Sequence, residues 1–335
     1  MNLLRLGITF LLIISLSVAC RPQPIDCAQE NVFCVGLVTA FGGIENHGLN
    51  QVAWETLQRL EAQAKMARLD KIESIDTRDW LKNVYFFAEN EYDVVISVGR
   101  NLSETTVAVA SEYPTILFIG IDQDLDEEYA NIATINFAEE QAGFLAGVLA
   151  AKATETNIVG AVCETSGIDS VWQYCEGFRA GVTHENEDVL VRVTYREGGS
   201  LDETFNDPEW GEQSALSQLE SGVDVLTGFG GNTSQAAFLA ASEKGILVVG
   251  AEEDLYFLLP DIQPVLITSV INDPSAALSN LVLKASQGEI MVGPYPGQIT
   301  YTSFRGPKQG LEIETEEVLQ ELRNGDFEIN LPERK

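Results

Sequence analysis

The segment ILFIGIDQDL, Ile116 to Leu125, returns 130 residues later as ILVVGAEEDL, Ile246 to Leu255. A second pair precedes it in the same order. DVVISVG (Asp93 to Gly99) is matched by DVLTGFG (Asp224 to Gly230) at an offset of 131. One matched run arises easily by chance; two, in order and at nearly one spacing, point to a duplicated α/β unit. Continuous apolar runs of this length suit strands buried on both faces of a parallel sheet. In such sheets ligands sit beyond the carboxyl ends of the strands. The duplication therefore predicts two similar lobes, each delivering an acid, Asp122 and Glu252, to a shared cleft.

A chain of 335 residues has room for two such lobes. FCVGLVTA (33–40) predicts a first strand, and NQVAWETLQRLEAQAKMA a helix with Val52, Leu57, Leu60 and Ala64 near helical spacing. RNLSETTVAVASEYP predicts a helix with Ser103 as N-cap and Pro114 beyond its end. FAEEQAGFLAGVLAAKATE predicts a strong helix with small residues along one side, suited to close packing. Strand and helix signals then alternate through NIVGAVC, SVWQYCEGFRAGV, VLVRVTY, GEQSALSQLESGV and SQAAFLAASEKG, as βαβ units demand. The late helices PSAALSNLVLKASQG and TEEVLQELRNG are expected to cross back between lobes and form part of the hinge.

The first residues, MNLLRLGITFLLIISLSVAC, carry one Arg and an apolar run from Leu6 to Val18. That run is short for a membrane span and has the layout of a secretory signal. SVAC looks like a bacterial lipobox, with Ser17 in place of the commoner Leu, and implies cleavage before Cys20 and lipidation of its thiol. The expected division is a signal peptide at 1–19, lipidated Cys and tether at 20–32, first lobe at 33–153, second lobe at 154–264, and returning segments at 265–335. Export permits disulfides. Cys27, Cys34, Cys163 and Cys175 allow three connectivities, of which the local pairs Cys27–Cys34 and Cys163–Cys175 close the shortest loops. The cysteine spacings and the two histidines, His47 and His184, make no zinc pattern, so neither metal nor cofactor is expected. A net charge of −31 repels phosphate backbones and argues against a nucleic-acid partner.

The blocks FGGIENHGLNQVAWETL, INFAEEQAGFLAGVLAA, VWQYCEGFRAGV, FNDPEWGEQSA, GVDVLTGFGGNT and VGAEED fall in one order along the chain. In that combination the chain resembles the basic membrane protein family, bacterial lipoproteins similar to purine nucleoside receptors that serve ABC transporters. The resemblance implies a type I periplasmic binding protein fold: two doubly wound parallel-sheet lobes joined by a three-crossing hinge. It also implies that Asp122 contacts a nucleobase and that Glu252, one methylene longer than the family's Asp, holds the ribose. Asn50 matches the Asn of the family block Asp-Lys-Ser-Phe-Asn. Leu49 replaces its stacking Phe, and Asn46, His47 and Gly48 occupy the three preceding positions. Phe205 stands where an aromatic closes over the base, and Asn272 replaces a Lys.

GFGGNT (Gly228 to Thr233) fails the G-x-G-x-x-G test because Thr233 takes the third glycine position. It predicts a strand-to-helix turn with the backbone N–H groups around Gly230 facing the cleft. No G-x-S-x-G or H-E-x-x-H motif is present, so an enzyme is not expected. The expectation is an extracytoplasmic, lipid-anchored binding protein of the cell envelope that captures a nucleoside-like molecule and delivers it to an ABC permease. The alternative is a ligand-sensing surface lipoprotein that signals to a membrane partner.

Overall fold

The first apolar run forms β1 (Cys34–Thr39), buried along its whole length. Its parallel neighbour β3 (Val94–Val98) and the next strand β4 (Leu117–Ile121) are equally buried, as the uninterrupted VVISV and LFIGI runs require. With β2 (Arg68–Glu73), β5 (Ile132–Asn136) and β11 (Gly293–Pro296) they make a six-stranded sheet in the order β11-β5-β4-β3-β1-β2. The second half repeats that order. β12 (Gln298–Tyr301), β10 (Leu266–Asp273), β9 (Leu247–Ala251), β8 (Val225–Phe229), β6 (Ile158–Cys163) and β7 (Leu190–Tyr195) lie side by side in that sequence. Every pairing is parallel except that of β10 with β12. The computed structural model describes residues 25–40, 42–198, 204–326 and 328–334; the signal segment and Cys20 lie outside the described residues.

The duplicated Asp residues do equivalent work at the opposite ends of the sheets from the acids. Asp93 Oδ2 accepts the Cys34 backbone N–H at 2.7 Å. Asp224 Oδ2 accepts the N–H groups of Glu155 and Thr156 at 2.6 and 2.9 Å, just ahead of β6. Each ties down the start of the first strand of its lobe.

Helices cover the sheets: α1 (Leu49–Leu60), α2 (Trp80–Glu89), α3 (Ser103–Glu112), α4 (Glu139–Ala153), α5 (Asp169–Glu185), α6 (Pro208–Glu220), α7 (Asn232–Glu243), α8 (Leu255–Leu258), α9 (Ser275–Ala285) and α10 (Glu312–Asn324). The chain passes between the sheets three times, after β5, after β10 and after β11. Where the connecting helices pack is decided by their apolar faces. Within 33–153, α4 buries Leu145, Val148 and Leu149 in the core of the second lobe. From the returning segment, β10 and β12 complete the second sheet and β11 the first, α9 joins the first lobe's core through Leu278, Leu281 and Val282, and α10 joins the second through Leu319 and Leu322.

The small-residue side of α4 meets that of α5 at backbone contact. A Cβ on Gly143 or Gly147 would lie 1.8 Å from the Tyr174 carbonyl oxygen or 2.2 Å from that of Phe178. Gly177 and Gly181 make the reciprocal approach to Glu140 and Phe144.

Some local expectations differ from what forms. α1 stops at Leu60, so buried Ala64 lies in the turn beyond it. A 3-10 turn over Arg100–Leu102 already directs the chain into α3, so Ser103 is a helical residue, not the N-cap; its hydroxyl donates to the Arg100 carbonyl at 2.7 Å. β2 and α2 had no clear signal. β2 is a charged edge strand, RLDKIE, of the kind that discourages further strand pairing.

Both local disulfides form, Cys27–Cys34 and Cys163–Cys175. The first pins the chain to β1 from Cys27 onward, within the segment expected to be a tether. The second joins the end of β6 to α5 across the intervening loop. Replacing Cys163 and Cys175 together by Ser is expected to cost about 2–3 kcal/mol by loop-closure entropy, since the bridge spans 12 positions. Urea unfolding of wild type and the double variant checks this; equal midpoints and slopes would contradict it.

Candidate functional site

The two duplicated strands, β4 and β9, end alike. Asp122 follows β4 with φ 57°, and Glu252 follows β9 with φ 69°, both left-handed conformations uncommon outside glycine. Each residue makes a final backbone bond to the next strand: Asp122 N–H to Ile135 O at 2.8 Å, Glu252 N–H to Val270 O at 3.1 Å. The strand then breaks off, and both side chains line one cavity of about 730 Å³. Left-handed non-glycine residues are disfavoured and concentrate at functional sites. Two of them at matching positions of a duplication make this cavity the candidate site.

Both lobes supply its walls. Asn46 and Leu49 come from the segment after β1, and Arg100 from the turn after β3. The second lobe contributes Ile168 and Ser170 after β6, Phe205 between β7 and α6, Gly231 after β8, and Asn272 from β10. Each sheet reverses its strand order between its first and third strands, the crevice where doubly wound sheets take ligands. Leu49, Ile168, Phe205, Phe229, Phe238 and Leu255 make much of the lining apolar.

The polar lining is acidic: Asp122, Glu139, Glu252 and Glu253 face the single cation Arg100 among the described residues. Arg100 is already engaged, with Nη2 3.0 Å from Asp122 Oδ1 and Nη1 donating to Ser170 Oγ at 2.5 Å. Burial pushes the Asp122 carboxyl up, and Arg100 pulls it back. Glu252 remains accessible to water within the cavity although protein surrounds it closely, and that enclosure raises its carboxyl; the N–H groups of Gly231 and Gly230 oppose the rise. Glu253 is raised to about 7 by burial and then by Glu252. Glu139, 5% exposed in the first turn of α4, is pushed up to about 8, first by burial and then by Asp122. Asn272 Nδ2 donates to its Oε1 at 3.1 Å.

Of the residues expected from sequence, Asn46, Leu49, Asp122, Phe205, Glu252 and Asn272 line the cavity. Two do not. Asn50 is buried behind the wall, its Nδ2 donating to the Gly43 carbonyl at 2.9 Å, so its amide does not reach the cavity. Gly230 backs onto Glu164, while Gly231, at φ 54°, is the lining residue. The N–H groups of Gly231 and Gly230 act on the Glu252 carboxyl, favouring its ionised form against burial. Asn46 lines the cavity but spends its Oδ1 accepting the Gly48 and Gln51 N–H groups at 3.1 and 3.3 Å, which closes the start of α1. Phe205 is held by its carbonyl, which accepts the Asn232 N–H at 3.0 Å.

Arg100, Glu139, Ser170 and Glu253 escaped the sequence reading. Arg100 was recognisable in principle, since it directly follows the duplicated Gly99. Glu139 carried no signal apart from its place in a helix start.

The lobes also touch at the mouth of the cavity. Asp254 N–H donates to the His47 carbonyl at 2.8 Å, and the His47 ring stacks on Phe257 with centroids 4.9 Å apart. Together with the Arg100–Ser170 bond, these contacts bring the two lobes together around the cleft.

The chain is 28% identical over 240 residues to a CD4+ T-cell-stimulating antigen of Listeria innocua, a match covering 68% of this chain and 65% of the relative. It is 27% identical over 233 residues to the ABC transporter nucleoside-binding protein BmpA of Lactococcus lactis, covering 66% of this chain and 64% of that one. The matches thus span just under two thirds of these relatives' lengths. An ABC transporter solute-binding protein of Conexibacter woesei superposes with a TM-score of 0.73 at 20% identity, covering 90% of this chain and 99% of that chain. At that identity the likeness shows the fold, with the two-lobed, three-crossing architecture that the sequence blocks implied. A family model matches residues 33–302, and the chain belongs to the family it describes, the PnrA-like ABC transporter substrate-binding proteins known as Bmp.

Proposed function

We propose that this protein is an extracytoplasmic lipoprotein, anchored through Cys20, that encloses a nucleoside-like solute between its lobes and presents it to an ABC permease. The observation that carries the reading is the pair of left-handed acids, Asp122 and Glu252, delivered from opposite lobes into one apolar-walled cavity. An ionised carboxylate is an acceptor for two donors side by side. One such group suits the N–H edge of a base, the other the vicinal hydroxyls of a ribose. Leu49, Phe205 and Phe229 offer apolar surface to the faces of a ring. The volume falls within the range of about 300–1,000 Å³ usual for small-molecule sites.

The charge narrows the class further. Four carboxylates against one committed Arg make a phosphate costly, so the reading is a nucleoside and not a nucleotide. The Lactococcus lactis relative, an ABC transporter nucleoside-binding protein, supports the same choice. A ligand that touches both lobes favours their closed arrangement, which is the state a permease would recognise. Catalysis has no place in this scheme.

Calorimetric titration with adenosine, guanosine, inosine, cytidine and uridine tests the reading. At least one is expected to bind well below millimolar concentration, and its 5′-monophosphate at least about 100-fold more weakly, a difference of some 2.7 kcal/mol. Should all five fail to bind below millimolar, the nucleoside assignment falls while the family and fold stand.

A further inference from the structure

Glu139 is the most buried of the four acids that line the cavity. Its side chain is 95% removed from solvent, yet the Asn272 amide is its only hydrogen-bond donor among the described residues. A carboxylate has room for about four such bonds. The neighbouring groups make matters worse. Asp122 and Glu252, at the ends of β4 and β9, lie within electrostatic reach and repel it. Tyr174 on α5 is close enough to interact but is buried, hydrogen-bonded to Thr227 at 3.0 Å, and neutral, with burial raising its hydroxyl. Arg100 is the sole cation acting on Glu139 among the described residues, and it is bonded to Asp122 and Ser170.

Buried charges are ordinarily paired. Nor is a metal the evident partner: among the described residues no group of three or more His, Cys, Asp or Glu side chains is placed to hold one. The cavity has the volume for an organic ligand, and what its floor lacks is a hydrogen-bond-donating positive charge.

We infer that the cavity selects a solute carrying a protonated amine, which docks against Glu139. This rests on the nucleoside-like reading of the same site and sharpens it: the preferred ligand is an amino-substituted nucleoside. The direction of the acid–base linkage agrees. Burial and its anionic neighbours hold the Glu139 carboxyl at about 8 without a cation, so an ammonium group would displace its proton. Binding of an amine therefore strengthens as pH rises from 6.5 toward 8, provided that the amine itself stays charged. Binding of a neutral nucleoside gains nothing over that range from Glu139.

Titrations of adenosine, its 2′-, 3′- and 5′-amino-deoxy analogues, spermidine and glucosamine, at pH 6.5 and 8, decide the matter. At least one amino analogue is expected to bind roughly 10- to 100-fold tighter than adenosine at pH 8, the range of a charge-assisted hydrogen bond. That advantage should shrink at pH 6.5 and vanish in Glu139→Gln. Asn272→Lys, which sets a charge beside Glu139, should abolish it too. Adenosine binding with no amino analogue favoured overturns this inference and leaves the nucleoside reading intact. Binding of spermidine or glucosamine with no nucleoside bound does the reverse. If none of the probes binds, both readings fall.

Discussion

Asp122→Ala is expected to weaken ligand binding about 30- to 1,000-fold, because the lost group is a charged acceptor facing an enclosed site. Removing such hydrogen bonds costs roughly 2–4 kcal/mol. The substitution also frees Arg100, whose side chain is 41% exposed and can take up water, so the damage falls on binding more than on folding. Backbone strain must be separated from charge, since Ala at φ 57° is itself disfavoured. Asp122→Asn provides that separation: Asn tolerates the left-handed region and keeps one acceptor, so its thermal midpoint should stay near wild type while affinity still falls. If the acids divide the ligand as proposed, Asp122→Asn impairs discrimination among bases. Glu252→Gln then impairs discrimination between ribose and deoxyribose. Calorimetry on the nucleoside panel reads both effects. Identical selectivity in the two variants would show that the duplicated turns do not divide the ligand between them.

Gly143→Ala is expected to destabilise the second lobe by about 3 kcal/mol or more, a shift of over a hundredfold in the folding equilibrium. The new methyl would lie 1.8 Å from the Tyr174 carbonyl oxygen, a backbone atom that no rotamer change can move. Relief requires α4 and α5 to separate along their whole contact. The reciprocal glycines Gly147, Gly177 and Gly181 would then lose their fit as well. Gly177→Ala, which meets the Glu140 carbonyl oxygen at 2.3 Å, should behave similarly. Gly310→Ala is the control, with nothing within 4 Å of the added carbon. Denaturant unfolding of the three variants checks the contrast. A Gly143→Ala protein as stable as the Gly310→Ala control would mean that the helices slide apart at little cost.

Local patterning made the strands β1, β3, β4, β6, β8 and β9 legible, since apolar runs buried on both faces have few alternatives. It failed at β2, where charges alternate along an edge strand, and at the termination of α1, where the helical spacing outlasts the helix. Site residues divided in the same way. Asp122 and Glu252 could be found because they close duplicated runs. Arg100 and Glu139 could not be ranked, because their importance comes from which charges surround them.

What the sequence by itself determined is therefore the repeated strand–acid unit, the parallel sheets and the small-residue face of α4. All depend on residues close together in the chain. Tertiary structure alone decided that α4 and α10 pack in the second lobe and α9 in the first, and that Asn50 turns its amide into the protein. It also decided that the turn at Gly230 and Gly231 lies close enough to Glu252 to oppose the rise of its carboxyl. The physical reason is range. A burial pattern states that a helix has an apolar face, but not which of two similar cores receives it. A carboxylate states that it needs donors; only the folded chain determines whether they come from an Arg, as at Asp122, or from a single amide, as at Glu139.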